Sequence, residues 1–300
     1  MTGRDRAISI PDVVHRHVEV DGVRVFYREA GPPYAPTLLL LHGFPSASHQ
    51  FRRLIDALGT RYRLVAPDYP GFGHSDAPES ATTGGSFSYT FDHLADVIEG
   101  FLERIGLNRF VMYVFDFGAP VGFRIATRHP EWVAGLVVQN GNAYDEGLSE
   151  AARDVIALRP DTPGAEQQIR GLLTLDGTRS QYLTGVSDPD LVAPDGWTLD
   201  QHVLDLPGHQ QLQIDLAFDY HSNTELYPAW QGWLRRHRPP TLVVWGRGDP
   251  FFTEAGARAY RRDVPNAELH LLDTGHFALE DKLADIAPLV ADFLDRTWPA

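Results

Sequence analysis

One stretch limits what this chain can fold into: Phe110-Val-Met-Tyr-Val-Phe-Asp116-Phe-Gly-Ala-Pro-Val-Gly122. Residues 110–115 are apolar, aromatic or β-branched, the pattern of a strand buried on both faces, and the run from Ala119 to Arg128 reads as a helix. Only a sharp turn fits between them. Asp116 is the single polar residue at its apex, and Gly118 lets such a turn lie close against its own strand, where a Cβ would press. A carboxylate held there is a candidate nucleophile. Attack on an acyl carbon would give an anhydride and gain little, whereas attack on a saturated, electrophilic carbon gives an ester that water can cleave. The competing reading is an N-cap, in which the same carboxylate bonds the free N–H groups of the first helical turn.

With 300 residues and 43% hydrophobic content, the chain can bury a large core as one domain carrying an insertion. A formal charge of -14 without a basic run argues against nucleic acid and against an anionic membrane surface. Cysteine is absent, which excludes a disulfide framework, a thiolate metal site and a thiol nucleophile. No segment approaches the roughly 18 apolar residues of a membrane span, and the first ten residues lack the apolar core of a secretion signal, so a soluble, cytoplasmic protein is expected.

Val13 to Val20 and Val23 to Arg28 alternate and meet at Asp21-Gly22, a hairpin signal at a sheet edge. Thr37 to Leu41, Arg63 to Ala66, Leu136 to Gln139, Thr241 to Trp245 and Glu268 to Leu272 read as further strands. Ser48 is placed to cap a helix through Leu58, Phe91 to Ile105 has helical spacing, and a final helix starts near Lys282. Strands alternating with helices imply an α/β fold, a mostly parallel sheet covered on both faces. The alternation stops after Asn142, and the stretch to Trp233 reads as short helices and loops. Residues 1–142 and 234–300 are therefore expected to form the core and 143–233 an inserted, mainly helical cap over the carboxyl ends of the strands.

An ester intermediate needs a base to activate water and an acid to orient that base. Asp249 follows one strand in Trp245-Gly-Arg-Gly-Asp249-Pro250, and His276 follows the last in Leu271-Leu-Asp-Thr-Gly-His276-Phe277. Each has an ordinary rival, a turn aspartate and a helix-entry histidine, but nucleophile, acid and base recur in the right order at strand ends. Two N–H donors are needed for the oxyanion formed on hydrolysis; those of Phe117 and Phe44 are expected to supply them.

Taken together, His42-Gly-Phe-Pro45, Pro67-Asp-Tyr-Pro-Gly-Phe-Gly-His-Ser-Asp76, the Asp116 turn, Gly248-Asp249 and Gly275-His276-Phe277 resemble the epoxide hydrolase and haloalkane dehalogenase branch of the α/β-hydrolase superfamily. The resemblance spans the core at both ends of the chain and thins out inside the cap. It implies Asp116 as nucleophile, His276 as base, Asp249 as its partner, and no cofactor or metal. Haloalkane dehalogenases hold halide with a Trp after the nucleophile and an Asn or Trp near the first loop; here Phe117 and Phe44 offer no side-chain N–H. Epoxide hydrolases use cap tyrosines as proton donors, and Tyr220 in Asp219-Tyr-His-Ser-Asn223 resembles theirs. Tyr144 and Tyr182 are candidates for a second. Val114, two before the nucleophile, is closer to the dehalogenases. The expected activity is hydrolysis of an apolar epoxide to a diol, with halide release from a haloalkane or non-catalytic ligand binding as alternatives. A small apolar or aromatic molecule is the expected partner, in a site made by His42, Phe44, Phe117, Tyr182 and Tyr220. Trp197, Phe218, Tyr227 and Trp230 either line that site or form the cap's own core.

Overall fold

The structure, a computed structural model, describes residues 10–298; the leader-free reading of the first ten residues thus falls almost wholly outside the described part. Eight strands form one sheet: β1 (Val13–Val20), β2 (Val23–Ala30), β3 (Thr37–Leu41), β4 (Arg63–Pro67), β5 (Phe110–Phe115), β6 (Val133–Gln139), β7 (Thr241–Gly246) and β8 (Glu268–Leu272). Their spatial order is β1-β2-β4-β3-β5-β6-β7-β8. The pairings β1 with β2 and β2 with β4 are antiparallel and the rest parallel. The hairpin at Asp21-Gly22 and every expected strand are present, with β6 starting at Val133, three residues before its reading.

The helices of the core are α1 (Arg52–Leu58), α2 (Phe91–Arg104) and α3 (Gly118–Arg128). Between β6 and β7 come α4 (Glu150–Ala157), α5 (Ala165–Leu172), α6 (Leu175–Leu183), α7 (Asp195–Leu204), α8 (His209–Asp219) and α9 (His221–His237). The chain returns through α10 (Glu254–Asp263) and α11 (Leu283–Thr297). The boundary expected at 233 falls inside α9, which continues because Trp233 packs edge-on against Phe123 of α3 and ends only at Arg238 in the left-handed region.

Alternate residues of each central strand feed opposite cores. Leu39, Leu41, Met112, Val114 and Val138 face one cluster with α2 and α3, while Leu38, Leu40, Val111, Tyr113 and Val137 face another with α1 and α11. Every residue of β5 is buried, which is why its sequence carries no polar alternation and why its first polar side chain comes at the turn beyond. The parallel strands leave the sheet at a common edge, so the loops after β3, β5, β7 and β8 converge there.

Ser48 does not cap α1. A 3-10 turn over Ser48–Phe51 precedes the helix, and the Ser48 hydroxyl accepts from Arg28 Nε at 3.0 Å. Asp68, from the loop after β4, accepts the Ser48 N–H at 2.7 Å instead, so the first turn takes its acceptor from another strand. No helix among the described residues is long and apolar enough to cross a membrane.

Candidate active site

Asp116 sits at φ +48, a left-handed conformation unusual for a side chain other than Gly or Asn, and this turns its carboxylate away from the helix that follows. The N-cap reading fails. Phe117 occupies the N-cap of α3 without a side-chain capping bond, while Asp116 Oδ1 accepts the Phe44 N–H at 2.6 Å. The Phe117 N–H, next in the chain, also favours the charged carboxylate. Two glycines make room: a Cβ on Gly118 would overlap the Leu41 carbonyl, and one on Gly43 would overlap Asp116 itself.

The His276 ring presents Nε2 3.7 Å from Asp116 Oδ2 and Nδ1 2.6 Å from Asp249 Oδ2. Asp249 is fully engaged: Oδ1 accepts the N–H groups of Phe251 at 2.8 Å and Phe252 at 3.1 Å, and Oδ2 also accepts Asn140 Nδ2 at 2.7 Å. Gln139 steadies the same loop from below, accepting the Tyr113 hydroxyl at 2.5 Å and donating to the His276 carbonyl at 3.3 Å. Burial pushes the Asp116 carboxyl above its usual range, against the opposing pull of the His276 ring and the two N–H donors. Burial disfavours the charged His276 ring, yet Asp249 first and Asp116 after it outweigh this and raise its pKa above 6.5.

Asp116 opens into an apolar pocket. Phe44, Phe117, Phe251, Phe252 and Tyr220 line it together with aliphatic residues such as Val155 and Ile169 from α4 and α5. Tyr220 stands between α8 and α9 with its ring centroid 6.0 Å from that of Phe117. Burial, the neighbouring Tyr227 hydroxyl and the Asp116 charge hold its phenol protonated well above pH 10. The segment bearing it is tied to both α3 and α2: Arg124 of α3, itself anchored on Asp92 of α2, donates to Asn223 Oδ1 at 2.7 Å and to Ser222 Oγ at 3.0 Å, and Asp219 accepts the N–H of Phe91 of α2 at 2.8 Å.

Two residues expected in the pocket are not there. Tyr182 is buried with its ring stacked on Phe277 at 3.9 Å and its hydroxyl on Asp200 Oδ2 at 2.5 Å, because α6 turns this side chain toward α7. His42 is fully buried, stacked on Tyr69 at 4.0 Å; Nδ1 donates to the Gly43 carbonyl and Nε2 accepts the Tyr69 N–H at 3.1 Å. Burial lowers its pKa to about 4, so it is a neutral strut under the loop that carries Phe44. Tyr144 packs against Tyr260 rather than the pocket, and Tyr227 and Trp230 belong to the main core cluster. The residues that hold Asp249 and Tyr220 in place, Asn140 and Arg124, carry no sequence signal beyond following a strand end and lying in a helix. Gln213, Ala217 and Tyr220 line the pocket at one-face helical spacing, but nothing in the sequence says that this face of the helix is the one turned to the pocket.

The family model described as the alpha/beta hydrolase fold matches residues 36–283. An uncharacterised hydrolase of Saccharomyces cerevisiae is 41% identical over 278 residues, covering 91% of this chain and 94% of the relative. A haloalkane dehalogenase of Psychrobacter cryohalolentis is 26% identical over 279 residues, 91% of this chain and 88% of that one. Among solved structures, a haloalkane dehalogenase of Bradyrhizobium elkani superposes with a TM-score of 0.77 at 22% identity, over 95% of this chain and 99% of its own. A family model spanning most of the core, over a sheet whose parallel strands deliver Asp116, Asp249 and His276 to one edge, means that this chain belongs to the alpha/beta-hydrolase fold family.

Proposed function

We propose that this protein is an epoxide hydrolase working through a covalent alkyl ester of Asp116. The observation that carries the reading is the pairing of polar groups in the pocket: a carboxylate fronted by a protonated phenol, Tyr220, with Phe44 and Phe117 beside it. A departing epoxide oxygen needs a proton, which a phenol supplies; a departing halide is held by N–H donors, which phenylalanine side chains do not have.

In the first step an Asp116 oxygen bonds to a ring carbon, the carbon–oxygen bond breaks toward oxygen, and Tyr220 protonates that oxygen. In the second, His276 Nε2 takes a proton from water, and the hydroxide attacks the ester carbonyl carbon of Asp116. The tetrahedral oxyanion forms where the Phe44 and Phe117 N–H groups already point, and each such donor contributes about 3 kcal/mol to the transition state. Collapse breaks the acyl–oxygen bond toward the alkoxide and frees the diol and the Asp116 carboxylate, and the proton taken up by His276 passes through the diol hydroxyls to the Tyr220 phenolate, so both groups return to their starting states. Esterification also removes a negative charge 3.7 Å from His276, which lowers the ring's pKa at the stage where it must act as a base.

Single turnover in heavy-oxygen water tests the reading: label enters the Asp116 carboxylate, and a labelled diol with unlabelled Asp116 refutes the covalent route. The variant His276→Gln is expected to gain the mass of the substrate as a stable ester. A haloalkane substrate is the second reading, favoured by the 26% identical dehalogenase and by Val114 two residues before the nucleophile. Halide release without diol formation on matched substrate panels would establish it in place of the first.

A further inference from the structure

The wall of the pocket contains two buried amides whose polarity the chemistry at Asp116 does not use. Gln213 on α8 is 4% exposed and Gln181 on α6 is 6% exposed, and both line the pocket. Gln213 Oε1 is buried without any hydrogen-bond partner, although an unsatisfied buried acceptor costs about 1–3 kcal/mol. Helix α8 could carry leucine there; it already does at Leu212 and Leu216, which pack into the core. A polar group that a fold leaves unpaired at a pocket wall is matched to something the pocket receives.

Its position fixes how far that something lies from the reacting atoms. Gln213, Ala217 and Tyr220 follow one face of α8, and Tyr220 itself retains helical φ and ψ. Seven residues at the helical rise place Gln213 about 10 Å along the axis from the tyrosine. Among the described residues no Lys or Arg lines the pocket, so a carboxylate at that depth would lose its hydration without a counter-charge.

We infer that Gln213, with Gln181 also lining the pocket, forms a polar subsite for an uncharged hydrogen-bond donor, a hydroxyl or amide N–H, carried by the substrate about 10 Å from its electrophilic carbon. This rests on the reading of Asp116 as the group that attacks that carbon. The substrate class is accordingly a lipophilic epoxide with a neutral polar function toward its far end, and Gln213 is its specificity-determining residue.

The test compares alkyl epoxides of equal length, one hydrocarbon, one with a hydroxyl at that separation and one with the free carboxylate. The alcohol is expected to show a kcat/KM about fivefold or more above the hydrocarbon, the size of one net hydrogen bond, and the carboxylate to fall below both. In Gln213→Leu the alcohol's advantage should collapse toward unity while the melting temperature holds or rises, since the amide makes no bond to lose. A ratio near unity in the wild-type protein overturns the subsite, as does an unchanged ratio in Gln213→Leu or a preference for the carboxylate. If no epoxide is opened, the reading of Asp116 fails separately. Equilibrium binding of an unreactive alcohol against its alkane then decides the subsite, with equal affinities counting against it.

Discussion

At Asp116, burial of the carboxyl and a left-handed backbone act on the same residue, and both disfavour the native state. A carboxyl whose folded pKa is raised above its unfolded value is most stable when protonated, so ionisation in the folded protein opposes stability as pH rises through the folded value. Asp116→Asn removes that charge and keeps a side chain that tolerates the left-handed region. It is expected to form no ester or diol yet to melt no lower than the wild-type protein at pH 8, and up to a few degrees higher for a gain of about 1 kcal/mol. A clear loss of stability in calorimetry would mean that the carboxylate's contacts to Phe44 and His276 outweigh its burial. His276 shifts the other way for a base: its raised pKa contributes stability present below the unfolded value of about 6.5 and lost as pH rises through the folded one. Since the ester form lacks the Asp116 charge, the acid limb of ester hydrolysis in single turnovers is expected at lower pH than the ring titration of the free protein by NMR. Coincidence of the two, or the reverse order, would show that Asp116 has no hold on the ring.

At the scale of elements, α3 does two jobs. Its N-cap, Phe117, directly follows Asp116, and two turns later Arg124 grips the segment between α8 and α9 that presents Tyr220. The proposed nucleophile, Asp116, and the proposed proton donor, Tyr220, about a hundred residues apart in sequence, are thereby tied to one helix. Replacing a buried, multiply bonded arginine leaves its partners unpaired, so Arg124→Met should lower stability by about 3 kcal/mol. It should also slow ester formation without slowing ester hydrolysis, because only the first step uses Tyr220. General acid catalysis is worth about a hundredfold or more, and that is the expected loss of ester formation in Tyr220→Phe. Stopped-flow measurement of the double variant should show the two losses to be far from additive; full additivity would separate Arg124 from Tyr220. The tyrosine could be picked out from its surrounding motif, but its anchor could not, since an arginine inside an amphipathic helix is most often a solvated one and only tertiary contact buries this one to 3% exposure.

Across the whole molecule, the helices inserted between β6 and β7 meet the core along a polar seam as well as an apolar one. Asp200 of α7 lies with Oδ1 3.0 Å from His49 Nε2 of the core and Oδ2 on the Tyr182 hydroxyl of α6. Tyr182→Phe leaves a buried carboxylate one donor short and should lower stability by about 1–3 kcal/mol while ester formation stays within about twofold of wild type. A loss of ester formation as large as that of Tyr220→Phe would return Tyr182 to the site. The motif around Tyr220 set that residue apart in the sequence, whereas nothing local said whether Tyr182 joins it, because that depends on how α6 is rotated against the sheet.

The fold was legible because it is written in local, repeated patterns: strands buried on both faces read as continuous apolar runs, and parallel strands joined by helices admit few arrangements. The places of Asp116, Asp249 and His276 were legible for the same reason, since each directly follows a strand and parallel strands end on one edge. His42, Tyr182, Asn140, Arg124 and Gln213 were decided only by the tertiary structure. Whether a polar side chain braces a loop, ties two helices together or waits unpaired in a pocket is set by neighbours far away in sequence, and no local pattern encodes which neighbours those are.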